Sequence, residues 1–122
     1  MKKHYGCPIQ ATANTMSGKW KVLILWHLSF GQLRFSELRK RLRGVSEKVL
    51  AAQLRELSRD GLIVRCCAET AALCVDYRLH TAGQELLPVL EAMCAWGIKH
   101  LGVPSSWPPR SPVVAGADEE TA

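Results

Sequence analysis

No continuous apolar run in this chain of 122 residues exceeds five, the length of "VLILW" (Val22–Trp26). A helix that crosses a bilayer needs about 18–20 such residues, so none is expected here. No basic segment followed by an apolar stretch opens the chain, so no secretion signal is expected and the location is read as cytoplasmic. In that compartment the five cysteines (Cys7, Cys66, Cys67, Cys74 and Cys94) are read as reduced thiols rather than a disulfide framework. They include no C-x-x-C pair, and His4, His27, His80 and His100 are scattered, so neither a structural metal nor a dithiol oxidoreductase is expected. His27, inside an apolar helix, reads as a core histidine. A glycine-rich phosphate loop, carboxylates paired in an apolar setting and a G-x-S-x-G elbow are all missing. The chain is therefore read as a non-enzyme with no cofactor and no internal repeat.

What the chain does have is concentrated charge. The formal net charge is +5, and residues 33–65 hold nine Lys/Arg against four acids, so this one segment carries the whole excess. A basic surface of that density points to a polyanion, with nucleic acid first, while a merely solvated helix face explains the charge alone equally well. The pattern of residues around the charge has to decide.

Length fits one domain, placed at residues 1–103. "CPIQATANTMSG" predicts a short first helix, with Pro8 at its N1 position and Gly18 ending it. "KWKVLILWHLS" is apolar almost all round, the mark of a buried central helix. "FGQLR" interrupts at Gly31. "FSELRKRLRG" predicts a helix capped by Ser36 and stopped at Gly44, with Arg39, Lys40 and Arg43 crowding its outer surface. Only Gly44 and Val45 then separate it from "SEKVLAAQLRELSRD", capped by Ser46, striped with Leu50, Leu54 and Leu57, and closed by Gly61. Two helices joined by a tight glycine turn make a helix-turn-helix. "LIVRCCA" and "LCVDYRLH" alternate as strands around "ETAA", a two-stranded hairpin that must lean on the helices. A hairpin in that place is the wing of a winged helix. One last helix is expected from Thr81 to Leu101, loosened at Pro88 and too apolar for its own neighbours to cover, so part of it is assigned to a second subunit. The Pro-, Ser- and Gly-rich residues 104–122 are expected to be a disordered tail. The fold class is thus α+β and mostly α: a winged helix-turn-helix with a two-stranded β wing and terminal dimerisation helices.

The helix over 46–60 explains the charge. With its leucines facing the core, Lys48, Ala52, Arg55 and Arg59 fall within roughly one third of the circumference on the far side. Ala51 and Ala52 keep that face slim enough for the DNA major groove, and their methyls suit thymine methyls. Lys48 and Arg55 suit guanine acceptors or phosphates, and Arg39, Lys40 and Arg43 suit the phosphate backbone. Duplex DNA fits better than RNA, whose deep, narrow major groove excludes a helix. The alternative is a winged helix used for protein–protein contact, which leaves two alanines between basic residues unexplained.

The blocks "CPI" (Cys7–Ile9), "GKWKVLILWHL" (Gly18–Leu28), "RFSELRKRL" (Arg34–Leu42), "GVSEKVLAAQLRELSRDGLIVR" (Gly44–Arg65), "VDYRL" (Val75–Leu79) and "LLPVLEAMCAWG" (Leu86–Gly97) together resemble the HxlR-type bacterial transcriptional regulators. This is a winged-helix group related to the MarR regulators. The resemblance implies a homodimer joined through terminal helices, reading a two-fold symmetric operator with one recognition helix, Ser46–Asp60, per half-site. On that pattern the DNA-contacting set is Ser36, Arg39, Lys40, Arg43, Ser46, Lys48, Ala51, Ala52, Arg55, Arg59 and Arg78. The wing departs from the family: "AETAALC" has no proline, and Cys74 stands where a basic residue is common. That places more of the affinity on the helices and on Arg78. His80 stands where many members have a capping threonine, so Thr81 is expected to cap instead.

Cys7 is the residue with chemistry to offer. Just before Pro8 it falls at a helix N-cap, where unpaired N–H groups and the dipole favour a thiolate. Some members of the family use a cysteine in this "CP" position to sense electrophiles or oxidants through a mixed or intersubunit disulfide; in others it is only a packing residue. Cys94, on the dimer helix, is the candidate partner thiol and is equally readable as a small buried hydrophobe. An oxidant or a small molecule is the inducer class implied. A Cys67–Cys74 bridge across the wing is a weaker alternative.

Overall fold

A computed structural model describes residues 6–67 and 75–104. Six helices and three short strands follow in the order α1 (Pro8–Thr15), α2 (Trp20–Leu28), β1 (Leu33–Arg34), α3 (Phe35–Arg41), α4 (Glu47–Arg59), β2 (Ile63–Cys67), β3 (Val75–Leu79), α5 (Thr81–Glu85) and α6 (Leu87–Leu101). The wing tip (68–74, with "ETAA" and Cys74), the first five residues and 105–122, which hold nearly all of the expected tail, lie outside the described residues.

One hydrophobic core holds the helix-turn-helix together. Ile24 and Leu25 of α2, Leu38 of α3 and Leu50, Leu54 and Leu57 of α4 are buried to within 1% of complete exclusion. They pack with Leu28, Leu42, Val45, Leu62, Ile63, Leu79 and Leu90 in a single cluster. As its all-round apolarity predicts, α2 is the central helix, and it touches α3, α4, α6 and β3. Ser46 caps α4, its hydroxyl accepting the Val49 N–H at 3.1 Å. Gly61 leaves α4 at φ 79°, the left-handed geometry in which a side chain would be strained.

Several local features differ from expectation. The sheet has three strands in the order β1-β3-β2, all antiparallel, with Leu33 opposite Tyr77 and Ile63 opposite Leu79. The wing is therefore anchored by a third, two-residue strand. Helix α3 starts at Phe35, one residue before Ser36, with Arg34 at the N-cap, because the Glu37 carboxylate accepts the Arg34 N–H at 2.8 Å and closes the first turn there. Ser36 is consequently the second helical residue, not the cap. At its other end α3 stops at Arg41 rather than Gly44, with Leu42 at φ −95°, ψ 80°, so the turn to α4 spans Leu42–Ser46. His80, not Thr81, holds the N-cap position of α5, and no side-chain cap forms there.

The expected final helix is two helices. The chain leaves helical bonding at Leu86, and Pro88 sits in the first turn of α6, where its missing N–H leaves no bond unmade. Gly83 of α5 lies so close to the backbone carbonyl of Leu62 that a Cβ would overlap it. Only glycine lets α5 press onto the start of β2.

Candidate nucleic-acid interface

The leucine stripe turns the opposite face of α4 outward beside the sheet. Successive strand residues alternate faces, so Ile63 and Leu79 enter the core while Arg65 and Tyr77, paired in register, share their face further along the strands. There the sheet and α4 enclose an open groove of about 830 Å³, lined by Ala51, Ala52, Leu54, Arg55, Glu56, Ser58, Arg59, Arg65 and Tyr77.

A smaller depression of about 370 Å³ brings Ser36, Arg39 and Lys40 together with Phe35 and Glu47. Arg39 is tied across the α3–α4 junction to Glu47, Nη1 to Oε2, at 2.9 Å. Arg43, Ser46 and Lys48 are exposed around the same junction. Arg59 lies 3.7 Å from Asp60, while Lys40, Arg43, Lys48, Arg55 and Arg78 form no ion pair among the described residues. Arg78 is exposed on the other face of the sheet, opposite Val64, so it does not share the groove.

Of the groove residues outside the expected set, Leu54, Glu56 and Ser58 come from α4, and Arg65 and Tyr77 come from the sheet. Arg65 was counted only as charge, and Tyr77 only as part of an alternation. The signal that finds them is the register between β2 and β3, which no local pattern displays.

The two candidate thiols occupy different settings. Cys7 is exposed at the N-cap of α1, its carbonyl accepting the Ala11 N–H at 3.0 Å. Cys94 is half-buried and lines an apolar cavity of about 230 Å³ between α2 and α6, with Leu23, Trp26, His27, Met93 and Ile98. His27 is buried there, and burial first, then the charge of Arg41, holds its pKa below the ordinary 6.5. Of the weaker Cys67–Cys74 alternative, Cys67 is exposed at the end of β2 and Cys74 lies outside the described residues.

A second surface contrasts with the basic one. Helix α1 has no buried residue, and Ile9 is 78% exposed. Only Leu90 of α6 is buried, while Val89, Met93, Trp96, Ile98 and Leu101 face outward. Among the described residues no helix is long and apolar enough to cross a membrane, and no group of three or more His, Cys, Asp or Glu is placed to hold a metal ion.

Comparison with known proteins follows the same outline. A family model described as HxlR-like helix-turn-helix matches residues 15–104. An HTH-type transcriptional regulator of Bacillus subtilis, YtcD, is 40% identical over 100 residues, covering 82% of this chain and 79% of its own. The redox regulator HypR superimposes in its reduced form with a TM-score of 0.73 at 31% identity, covering 78% of this chain and 96% of that one. In its oxidised form the values are 0.72, 33%, 77% and 97%. The reduced form of the transcriptional regulator YodB of B. subtilis matches with a TM-score of 0.69 at 28% identity, covering 79% of this chain and 95% of that one.

Proposed function

The chain belongs to the HxlR-like helix-turn-helix family, and from the groove between α4 and the sheet we propose that it is a sequence-specific DNA-binding transcriptional regulator. It acts as a homodimer that places one α4 in the major groove of each half-site. The observation that carries this reading is the shared groove itself, which Arg55, Arg59 and Arg65 line together with Ala51 and Ala52. Methyl-sized side chains let the helix approach base edges, and the arginines supply the donors that guanine and phosphate accept. Lys48 and Arg55 reach toward bases. Ser36, Arg39, Lys40 and Arg43 meet phosphates on one side, Arg78 on the other, and the Ser46 hydroxyl keeps the amino end of α4 in place.

The dimer half of the proposal rests on the open apolar faces of α1 and α6. Five large apolar side chains of one helix turned to water make a patch that a second copy of the same surface covers by two-fold symmetry. Half-sites are then spaced by about 34–36 Å, one helical turn, or a multiple of it.

Cys7 is proposed as the redox switch, supported by its exposed helix-cap position and by the likeness to a redox regulator. A thiol oxidant takes two electrons from Cys7 and a second thiol. Both protons leave, and one S–S bond forms, either with a small thiol or with Cys94 of the partner subunit.

The test is a fluorescence-anisotropy titration against DNA from the chain's own upstream region, at several salt concentrations, with and without a thiol oxidant. Binding that beats random DNA and falls steeply with salt supports the regulator. Binding that is equal on random DNA and insensitive to salt instead identifies a protein-contact module. Replacing Arg55 by Ala weakens operator binding by about 1–3 kcal/mol and relaxes base preference at one position. Cys7→Ser keeps DNA binding and abolishes the response to oxidant; a response that persists moves the switch to another cysteine.

A further inference from the structure

A lysine in the first turn of the central helix is 8% exposed. Lys21 of α2 lies at the edge of the apolar run, yet its Nζ reaches across to Glu56 Oε1 of α4 at 2.7 Å. The pair is lopsided: the Lys21 side chain is 10% exposed and the Glu56 side chain 39%. Glu56 is also the one acid lining the basic groove, between Arg55 in sequence and Arg59 one turn on. The Lys21 hydrogen bond and then its charge hold the Glu56 carboxyl below its ordinary range, with Arg59 and Arg55 adding to the effect.

An acid in this position has two other courses, both harmful to a DNA reader. Residues three apart on a helix are neighbours, so a Glu56 carboxylate without Lys21 can swing onto Arg59 and neutralise it. Otherwise it stays at the groove edge and repels phosphate. Lys21 approaches from inside the fold, occupies the carboxylate from behind and never meets the DNA.

We infer that Lys21 is a positioning residue for DNA reading, binding Glu56 so that its carboxylate does not compete with the nucleic acid for Arg55, or for Arg59, which has Asp60 as its own loose neighbour at 3.7 Å. The inference rests on the DNA-binding reading of the groove and deepens it. It also gives the buried ammonium a reason. Removing a charge from water is costly, and a buried ion pair is often no more stabilising than apolar residues of similar volume. The pair serves the groove more than the core.

The experiment uses the full chain and measures affinity and salt dependence for the upstream duplex and for a random duplex, with thermal unfolding recorded alongside. Lys21→Met is expected to remain folded, because its partner carboxylate is open to solvent. Its affinity is expected to fall roughly tenfold, with a log–log salt slope shallower by about one, the signature of one lost phosphate contact. The double variant Lys21→Met with Glu56→Gln is expected to regain wild-type affinity and slope, since no acid is left to compete. A purely structural pair predicts the opposite: lower melting temperature, unchanged slope for the folded fraction and no rescue. That result overturns the inference. Should Lys21→Met not fold, Lys21→Gln preserves a hydrogen-bond donor without neutralising Glu56, and the same shallow slope is expected; an unchanged slope there overturns it as well. Wild-type protein that shows no salt-dependent binding to either duplex removes the DNA-binding reading, and this inference with it. Loss of the Lys21 effect alone leaves that reading standing.

Discussion

Helices α4 and α6 are of similar length, 13 and 15 residues, and they meet solvent in opposite ways. α4 hides Leu50, Leu54 and Leu57 almost completely and, apart from a part-exposed Val49, shows water charged, polar and small side chains. α6 hides Leu90 alone and turns Val89, Met93, Trp96, Ile98 and Leu101 outward. One helix is finished by its own chain, so its outer face is left for a charged partner. The other has an apolar face still to be covered, which suits a second protein surface. A regulator that binds DNA as a pair needs both kinds of surface, and keeping them on separate helices lets each follow its own chemistry.

The sharpest way to break this comparison is to cut matching apolar residues from the two helices. Leu54→Ala, inside the closed core, lowers unfolding stability by about 2–5 kcal/mol in a denaturant titration. Trp96→Ala, on the open face, weakens self-association by about 2 kcal/mol or more in sedimentation equilibrium, as truncation of an interface anchor does. Should Trp96→Ala instead leave association untouched, the open face of α6 has another use and the two helices do not divide the work between DNA and a second subunit.

A smaller change sharpens the α4 side alone. Ser46→Ala removes the acceptor for the Val49 N–H and costs about 1 kcal/mol of stability. The same variant leaves the association constant as it is, because the cap lies at the other helix.

The smallest expected effect comes from His27, beneath the α6 side. Its folded-state pKa lies below the ordinary 6.5, so the folded chain binds fewer protons than the unfolded one just under that pH. The stability is present in full above about 6.5 and is lost as pH falls from there through the lowered folded value. Urea midpoints measured at pH 7.5, 6.5 and 5.5 fall in that order, and His27→Gln flattens the decline. Glu56, whose pKa is lowered from 4.5, acts only in more acid solution, so the two helices separate by pH as well as by mutation.

Much of the fold is legible in the sequence. Pro8, Ser46 and Gly61 mark helix ends by local chemistry, and Leu50, Leu54 and Leu57 mark a face by spacing alone, so α1 and α4 could be drawn from the residues. The basic outer face of α4 followed from the same geometry. What stayed hidden depends on partners distant in sequence. β1 is two residues long and exists because β3 pairs with it. Arg65 and Tyr77 join the groove through strand register. Lys21 sits within "KWKVLILW", where an apolar run disguises a charge whose partner is on another helix. Ser36 misled for a local reason: it is a good capping residue, but Glu37 reaches back to Arg34 and starts the helix earlier.

The short strand β1 also orders events in time. Leu33 lies ahead of the whole helix-turn-helix, and Tyr77 lies after it. A chain emerging from the ribosome amino end first has all of α3 and α4 in hand long before the strand that closes the sheet has been made. Contacts that bridge so much sequence form late, and they slow folding relative to local ones. The groove beside α4, which Arg65 and Tyr77 complete, is therefore assembled after α3 and α4, and a nascent or truncated chain ending near Leu62 carries the whole of α4 without the whole groove.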